Sequence, residues 1–132
     1  MKNKQKGSVL LEFVLSTFIL VMVFAILCNC AFLLREKIAV ASAAREAGRQ
    51  AAVTKDMRSG IEVGERVMAS SGVPESRFTV RVYQAAQNLI ASEVTCDSPL
   101  LLPMIGGLLG NEWSSYLTLH KVLFFRYEET PR

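Results

Sequence analysis

The chain has 132 residues, of which 51% are hydrophobic and 20% charged, and its formal net charge is +3. A chain of this length has room for one small domain beside a membrane segment, which excludes a large multidomain protein. Three of its positive charges are Lys2, Lys4 and Lys6, ahead of a long apolar run. No basic patch stands out without them, so we expect no nucleic-acid partner.

The apolar run extends without a charge from Phe13 to Leu34. A helix of this length spans roughly 33 Å, which is enough to cross the hydrocarbon layer of a bilayer. The run is also longer than the apolar core of a cleavable secretory signal, so residues 8–34 are predicted to remain as a membrane helix. The lysines before it predict a cytoplasmic N-terminus in the inner membrane and a periplasmic domain at residues 35–132.

A glycine and a carboxylate mark the start of this run: Gly7 is followed by Ser8, and Glu12 and Phe13 come four and five residues after Ser8. An ionisable side chain at the start of a membrane segment is costly and often marks function. Together with the alanine-rich stretch 43–52, the sequence KGSVLLEF resembles the N-terminal motif of the TadE-like pseudopilins of tight-adherence (Flp, type IVb) pilus systems.

The resemblance implies that residues 1–7 are a leader, removed by a prepilin peptidase between Gly7 and Ser8. It also implies that Glu12, with Phe13 beside it, sets the register of the subunit by pairing with the Ser8 ammonium of a neighbouring subunit. The implied partners are the prepilin peptidase, the major Flp pilin, a sister pseudopilin and the inner-membrane assembly platform. Ser8 stands where phenylalanine is commonest in pilins, which leaves N-methylation of the new terminus open.

The membrane helix is expected to continue straight into the periplasmic domain, because no glycine or proline interrupts residues 8–47. Beyond the membrane, small residues recur at helical spacing. They are Ala41, Ala44, Gly48 and Ala51. Such a ridge either admits the backbone of another chain or is covered by the protein's own domain.

A second helix is predicted to start at the capping-box pair Ser59 and Glu62 and to stop at Gly72. After Pro74 the pattern alternates, which predicts strands at 78–83, 89–96 and 117–127. The second strand has the weakest pattern, and the sequence leaves open whether it is an edge strand or absent, so the strand order is not predicted. A small antiparallel sheet packed on the long helix gives an α+β fold class.

The connection at 98–116 is too apolar for an ordinary surface loop and too rich in glycine and proline for a regular helix. It either contributes to the core or offers an apolar patch to a partner subunit, and the second is slightly favoured. Trp113 within it either anchors such a contact or closes the core.

The cysteines and the single histidine do not indicate a catalytic or metal site. Cys28 and Cys30 point in different directions on a helix and cannot readily bridge, and Cys96 is expected to be buried. His120 is expected at a strand surface, with no cluster of metal ligands around it. We therefore predict no enzymatic activity, no metal and no cofactor.

The preferred interpretation is a minor pilin or pseudopilin needed for assembly of a tight-adherence pilus. Its expected location is the inner membrane, and the extracellular pilus is left open as a second one. One alternative is an uncleaved single-pass membrane protein with a periplasmic binding or assembly domain. Another is a pseudopilin of a type II-like secretion apparatus. The sequence leaves open whether the protein occupies the tip, the shaft or an initiation complex.

Overall fold

A computed structural model of the chain describes residues 2–100 and 115–127. Two helices precede a short 3-10 turn (Glu75–Arg77) and three strands, which confirms the predicted α+β class. The elements are α1 (Lys2–Thr54), α2 (Met57–Ser70), β1 (Phe78–Ala86), β2 (Leu89–Pro99) and β3 (Tyr116–Arg126). The chain divides into two compact units, Met1–Phe32 and Leu33–Arg132.

Helix α1 is unbroken, as predicted, and ends at Thr54. The Thr54 hydroxyl donates back to the carbonyl of Gln50 at 2.7 Å. The next residue, Lys55, has a φ of 57°. This left-handed conformation costs a residue with a side chain roughly 1–2 kcal/mol, and it turns the chain out of α1 so that α2 can begin only two residues later.

Helix α2 starts earlier than the capping-box pattern predicted. Its N-cap is Asp56, whose carboxylate accepts a hydrogen bond from the Arg58 backbone N–H at 3.0 Å. The prediction of Ser59 as the cap was wrong, because Ser59 lies inside the helix and its hydroxyl accepts from the side-chain amide of Gln50 at 3.2 Å. The predicted stop is confirmed: Gly72 has a φ of 81°, which a glycine adopts without strain.

The sheet is antiparallel in the order β1-β2-β3. The strand with the weakest sequence pattern, β2, is therefore present and lies at the centre of the sheet, which answers the strand order that the sequence left open. Its inner face is fully buried and alternates apolar with small polar side chains, which weakened the hydrophobic pattern. These residues are Ile90, Ser92, Val94, Cys96 and Ser98. The expectation that Cys96 is buried is confirmed.

The core of the second unit forms where small residues let the elements approach closely. A Cβ atom added to Gly60 of α2 would lie 2.6 Å from the Ala47 carbonyl oxygen of α1, and one added to Gly48 of α1 would collide with the Phe125 ring of β3. The ridge on α1 is therefore covered by the protein's own domain. Of the ridge residues, Ala44, Gly48 and Ala51 are buried and Ala41 is partly buried, and the neighbouring Ala43 and Ala47 are fully buried as well.

The apolar connection predicted at 98–116 is described only at its ends. The backbone N–H of Leu100 donates to the carbonyl of Ser115 at 2.8 Å. The remainder, including Trp113, lies outside the described residues.

Candidate functional site

From Phe13 to Phe24, within the first unit, α1 carries no charge, and its large apolar side chains are exposed on all sides. Soluble monomers rarely expose such a surface, and a helix that is apolar all round is normally buried in a bilayer or a bundle. Among the described residues, α1 is the one helix long and apolar enough to cross a membrane by length and composition. These properties are consistent with a membrane-anchored protein. The exposed side chains include Val9, Leu10, Leu11, Phe13, Val14, Leu15, Phe18, Ile19, Leu20, Val21 and Phe24.

Gly7 and Ser8 lie within the first turns of this helix. No atom comes within 4 Å of a Cβ built on Gly7, so packing within the chain does not require a glycine there. A glycine in an exposed helical position costs about 1 kcal/mol relative to alanine. The residue thus weakens the helix at the position where the sequence predicts cleavage, and the fold offers no reason for it.

Glu12 lies one helical turn after Ser8, on the same face of α1. Its side chain is exposed and forms no hydrogen bond or ion pair within the described residues. Phe13 beside it is 71% exposed. The Thr17 hydroxyl donates to the Phe13 carbonyl at 2.8 Å, as expected for a hydroxyl inside an apolar helix. The carboxylate therefore has no described partner within the chain, and in an apolar surrounding it needs one from elsewhere.

A second polar cluster, in the second unit, was missed by the sequence analysis. The two carboxylate oxygens of Glu36 accept hydrogen bonds from the Arg77 guanidinium and from the Ser98 hydroxyl. Arg77 also donates through Nε to the Asp97 carbonyl at 3.0 Å. Partial burial opposes the charge of Arg77, but the hydrogen bond and charge of Glu36 outweigh it, so the pKa of Arg77 is raised. In the sequence Glu36 only marked the end of the apolar run.

Neither Cys96 nor His120 adds a reactive centre to the described part of the chain. Burial, followed by the nearby Glu36 carboxylate, raises the pKa of the Cys96 thiol, which disfavours the thiolate. His120 is exposed on β3, as expected, and its Nε2 lies 2.7 Å from a carboxylate oxygen of Glu93. Residues 2–100 and 115–127 contain no group of three or more His, Cys, Asp or Glu side chains that could hold a metal ion.

In the comparison with protein families, residues 7–49 match the family described as TadE-like protein. The matched region begins at Gly7 and runs through the apolar stretch to the alanine-rich part of α1, which confirms the resemblance drawn from the sequence. No curated protein and no solved structure matches the chain. The similarity supports a protein associated with a Tad pilus.

Proposed function

We propose that the protein is a minor pilin or pseudopilin needed for assembly of a tight-adherence (Flp) type IV pilus. In this proposal a prepilin peptidase cleaves the chain between Gly7 and Ser8, and the apolar part of α1 then carries the subunit from the inner membrane into the filament. The observation that supports it best is Glu12, a carboxylate with no described partner at the start of an uncharged stretch of α1 whose large apolar side chains are exposed. The family match over residues 7–49 contains all of these residues.

Cleavage requires the peptidase to unwind the start of α1, because the Gly7–Ser8 bond lies in a helix and proteases act on extended backbone. Glycine suits the position for two reasons. It lowers the cost of leaving the helix by about 1 kcal/mol relative to alanine, and it lets the backbone enter a narrow cleft without a side chain. No side chain of the described fold covers Gly7, so the peptidase can reach this residue.

Cleavage creates an ammonium group at Ser8, and this group is the proposed partner of Glu12 on a neighbouring subunit. Transfer of a lone carboxylate into an apolar bundle costs several kcal/mol, whereas a paired one regains much of that cost. Because each subunit supplies one ammonium and one carboxylate a turn apart, each added subunit offers a new site for the next. The proposed partners are thus the major Flp pilin and a sister pseudopilin, on an inner-membrane assembly platform.

The main alternative is an uncleaved single-pass membrane protein whose second unit acts as a periplasmic binding or assembly domain. The observation that favours it is that this unit, Leu33–Arg132, has its own core and that α2 and the sheet lie outside the family match. A pseudopilin of a type II-like secretion apparatus would share every feature described for the cleaved form and differ only in its partner machinery.

The N-terminal mass of the full chain, expressed with and without a prepilin peptidase, tests the proposal. The proposal expects a mature chain starting at Ser8 only with the peptidase, loss of processing in Gly7→Ala, and normal processing but defective pilus assembly in Glu12→Gln. Glu46→Gln is a matched control, since Glu46 is an exposed carboxylate on the same helix outside the apolar run, and it should affect neither step. Retention of residues 1–7 in the presence of the peptidase would favour the uncleaved membrane protein.

A further inference from the structure

The direction of β2 relative to α1 determines which end of the sheet lies beside residues 34–36 of α1, where the apolar run ends. Near the start of the second unit, Glu36 of α1 is bonded to Ser98, close to the end of β2. Three turns further along α1, Gly48 contacts Phe125, which is opposite Ile90, close to the start of β2. Strand β2 therefore runs antiparallel to α1. The end of β2 and the beginning of β3 lie beside residues 34–36.

This end of the second unit carries exposed side chains of the kinds that favour a membrane interface. Leu34 and Ile38 are each 60% exposed, and the cationic Lys37 lies between them in sequence. Tyr116, opposite Pro99 at the start of β3, is 55% exposed. Tyrosine with an apolar ring and a polar hydroxyl, and lysine with a long apolar stem, are the residues that accumulate at the headgroup level.

The polar contacts hold several elements at the same end. Arg35 donates to the carbonyl of Ser71, just after α2, at 3.2 Å. The hydrogen bond between Leu100 and Ser115 lies beside the last pair of β2 and β3. Leu100 and Ser115 therefore also lie at this end of the second unit.

We infer that this end of the sheet is a contact surface for the lipid headgroup layer, with Tyr116 at the level of the headgroups. The inference rests on the membrane span of the proposed function but not on cleavage or pilus assembly. Leu34 is the last residue of the apolar run, and Glu36 lies only about 3 Å further along the helix axis at 1.5 Å per residue. The headgroup layer is roughly 5–7 Å thick on each side of the hydrocarbon, so the strand end bonded to Glu36 lies within it.

A pair of tyrosines on one face of the sheet provides a matched test. Tyr83 is opposite Ala91 and is 44% exposed, on the same outer face as Tyr116 but at the other end of the strands. Ala91 is opposite Phe124 on β3, so the two tyrosines are separated along the strands by roughly 27 Å at 3.4 Å per residue.

The experiment places one tryptophan at each position in turn, as Tyr116→Trp and Tyr83→Trp, in full-length chains in which Trp113→Phe removes the natural tryptophan. The chains are reconstituted in phosphatidylcholine–phosphatidylglycerol vesicles whose acyl chains are brominated near the headgroup. We expect a larger fractional loss of fluorescence for Tyr116→Trp than for Tyr83→Trp, and the opposite order with aqueous iodide as quencher.

Equal quenching of the two variants, or stronger lipid quenching of Tyr83→Trp, would overturn the inference. Flotation of the same samples separates this failure from failure of the proposed function. Chains that float with the vesicles but show no difference refute only the headgroup contact. Chains that do not float refute the membrane span and with it both proposals.

Discussion

Removal of the Glu36 carboxylate tests how strongly α1 is held to the sheet. The side chains of Glu36 and Arg77 are 18% and 26% exposed. Their pair thus falls between exposed ion pairs, worth about 0–1 kcal/mol, and fully buried pairs, whose rupture costs about 3–5 kcal/mol. The Ser98 hydroxyl, on a residue that is 2% exposed, loses its acceptor as well. We expect Glu36→Ala to lower the free energy of unfolding by about 2–3 kcal/mol.

The amide variant separates charge from hydrogen bonding at the same position. In Glu36→Gln the remaining carbonyl oxygen can still accept from Arg77, and the new NH₂ group can donate to the Ser98 hydroxyl. Only the charge is lost, so we expect a decrease of roughly 1 kcal/mol. Glu46→Ala, at an exposed position of the same helix, controls for helix propensity and should change stability by less than about 0.5 kcal/mol.

The assay is urea unfolding of the full chain in detergent micelles, followed by hydrogen exchange of peptides from β1 and β2. These strands report on the second unit, whereas the helical signal of the whole chain is dominated by α1. A double-mutant cycle with Arg77→Gln isolates the ion pair. If Glu36→Ala is no more destabilising than Glu46→Ala, or if the cycle gives no coupling, then Glu36 does not hold α1 to the sheet and the reasoning is refuted.

Two further predictions concern the core of the second unit. Gly60→Ala should lower the free energy of unfolding by about 1–2 kcal/mol. Overpacking against the Ala47 carbonyl costs about 1–3 kcal/mol, whereas the better helix propensity of alanine returns at most about 1 kcal/mol. An unchanged or raised urea midpoint would contradict this prediction. Burial, with the Glu36 carboxylate, raises the pKa of Cys96 in the folded state, so the folded state binds the thiol proton more tightly than the unfolded state. The contribution of the Cys96 thiol to the free energy of unfolding should be fully present below the unfolded pKa of about 8.5, and it should fall as the pH rises towards the raised pKa of the folded state. Unfolding measured from pH 7 to 10 would detect this decline, and Cys96→Ser should remove it.

Periodicity and chain breakers were sufficient to predict most of the elements. The alternation of Phe78, Val80 and Val82 predicted β1, and all three side chains are buried on one face. The absence of glycine and proline from residues 8–47 predicted the unbroken α1. Gly72, in the left-handed conformation, ended α2 as expected. These signals are local, so a single sequence contains them in full.

The features that the sequence could not predict depend on contacts between distant residues. Ser92 and Ser98 interrupt the apolar pattern of β2, and only the pairing with both neighbouring strands shows that this strand is central. Glu36 looks like an ordinary charge at a membrane boundary until the fold brings Arg77 beside it. Gly60 gives no sign in the sequence that it faces the backbone of α1. The roles of Gly7 and Glu12 come from the resemblance, and the fold adds only that neither residue is needed for packing within the chain.

The small-residue ridge of α1 shows how the fold limits the ways in which subunits could meet. The sequence allowed the ridge to receive either another chain or the protein's own domain. In the fold, Gly48 of the ridge lies against Phe125 and Ala51 of the ridge lies against Gly60. A partner helix could reach these residues only if the sheet and α2 moved away, which would expose the fully buried core. Contacts of the folded second unit with other subunits must therefore use other surfaces of α1 or the sheet. In the proposed filament, close helix packing would use residues 9–24 of α1, where the large apolar side chains are exposed.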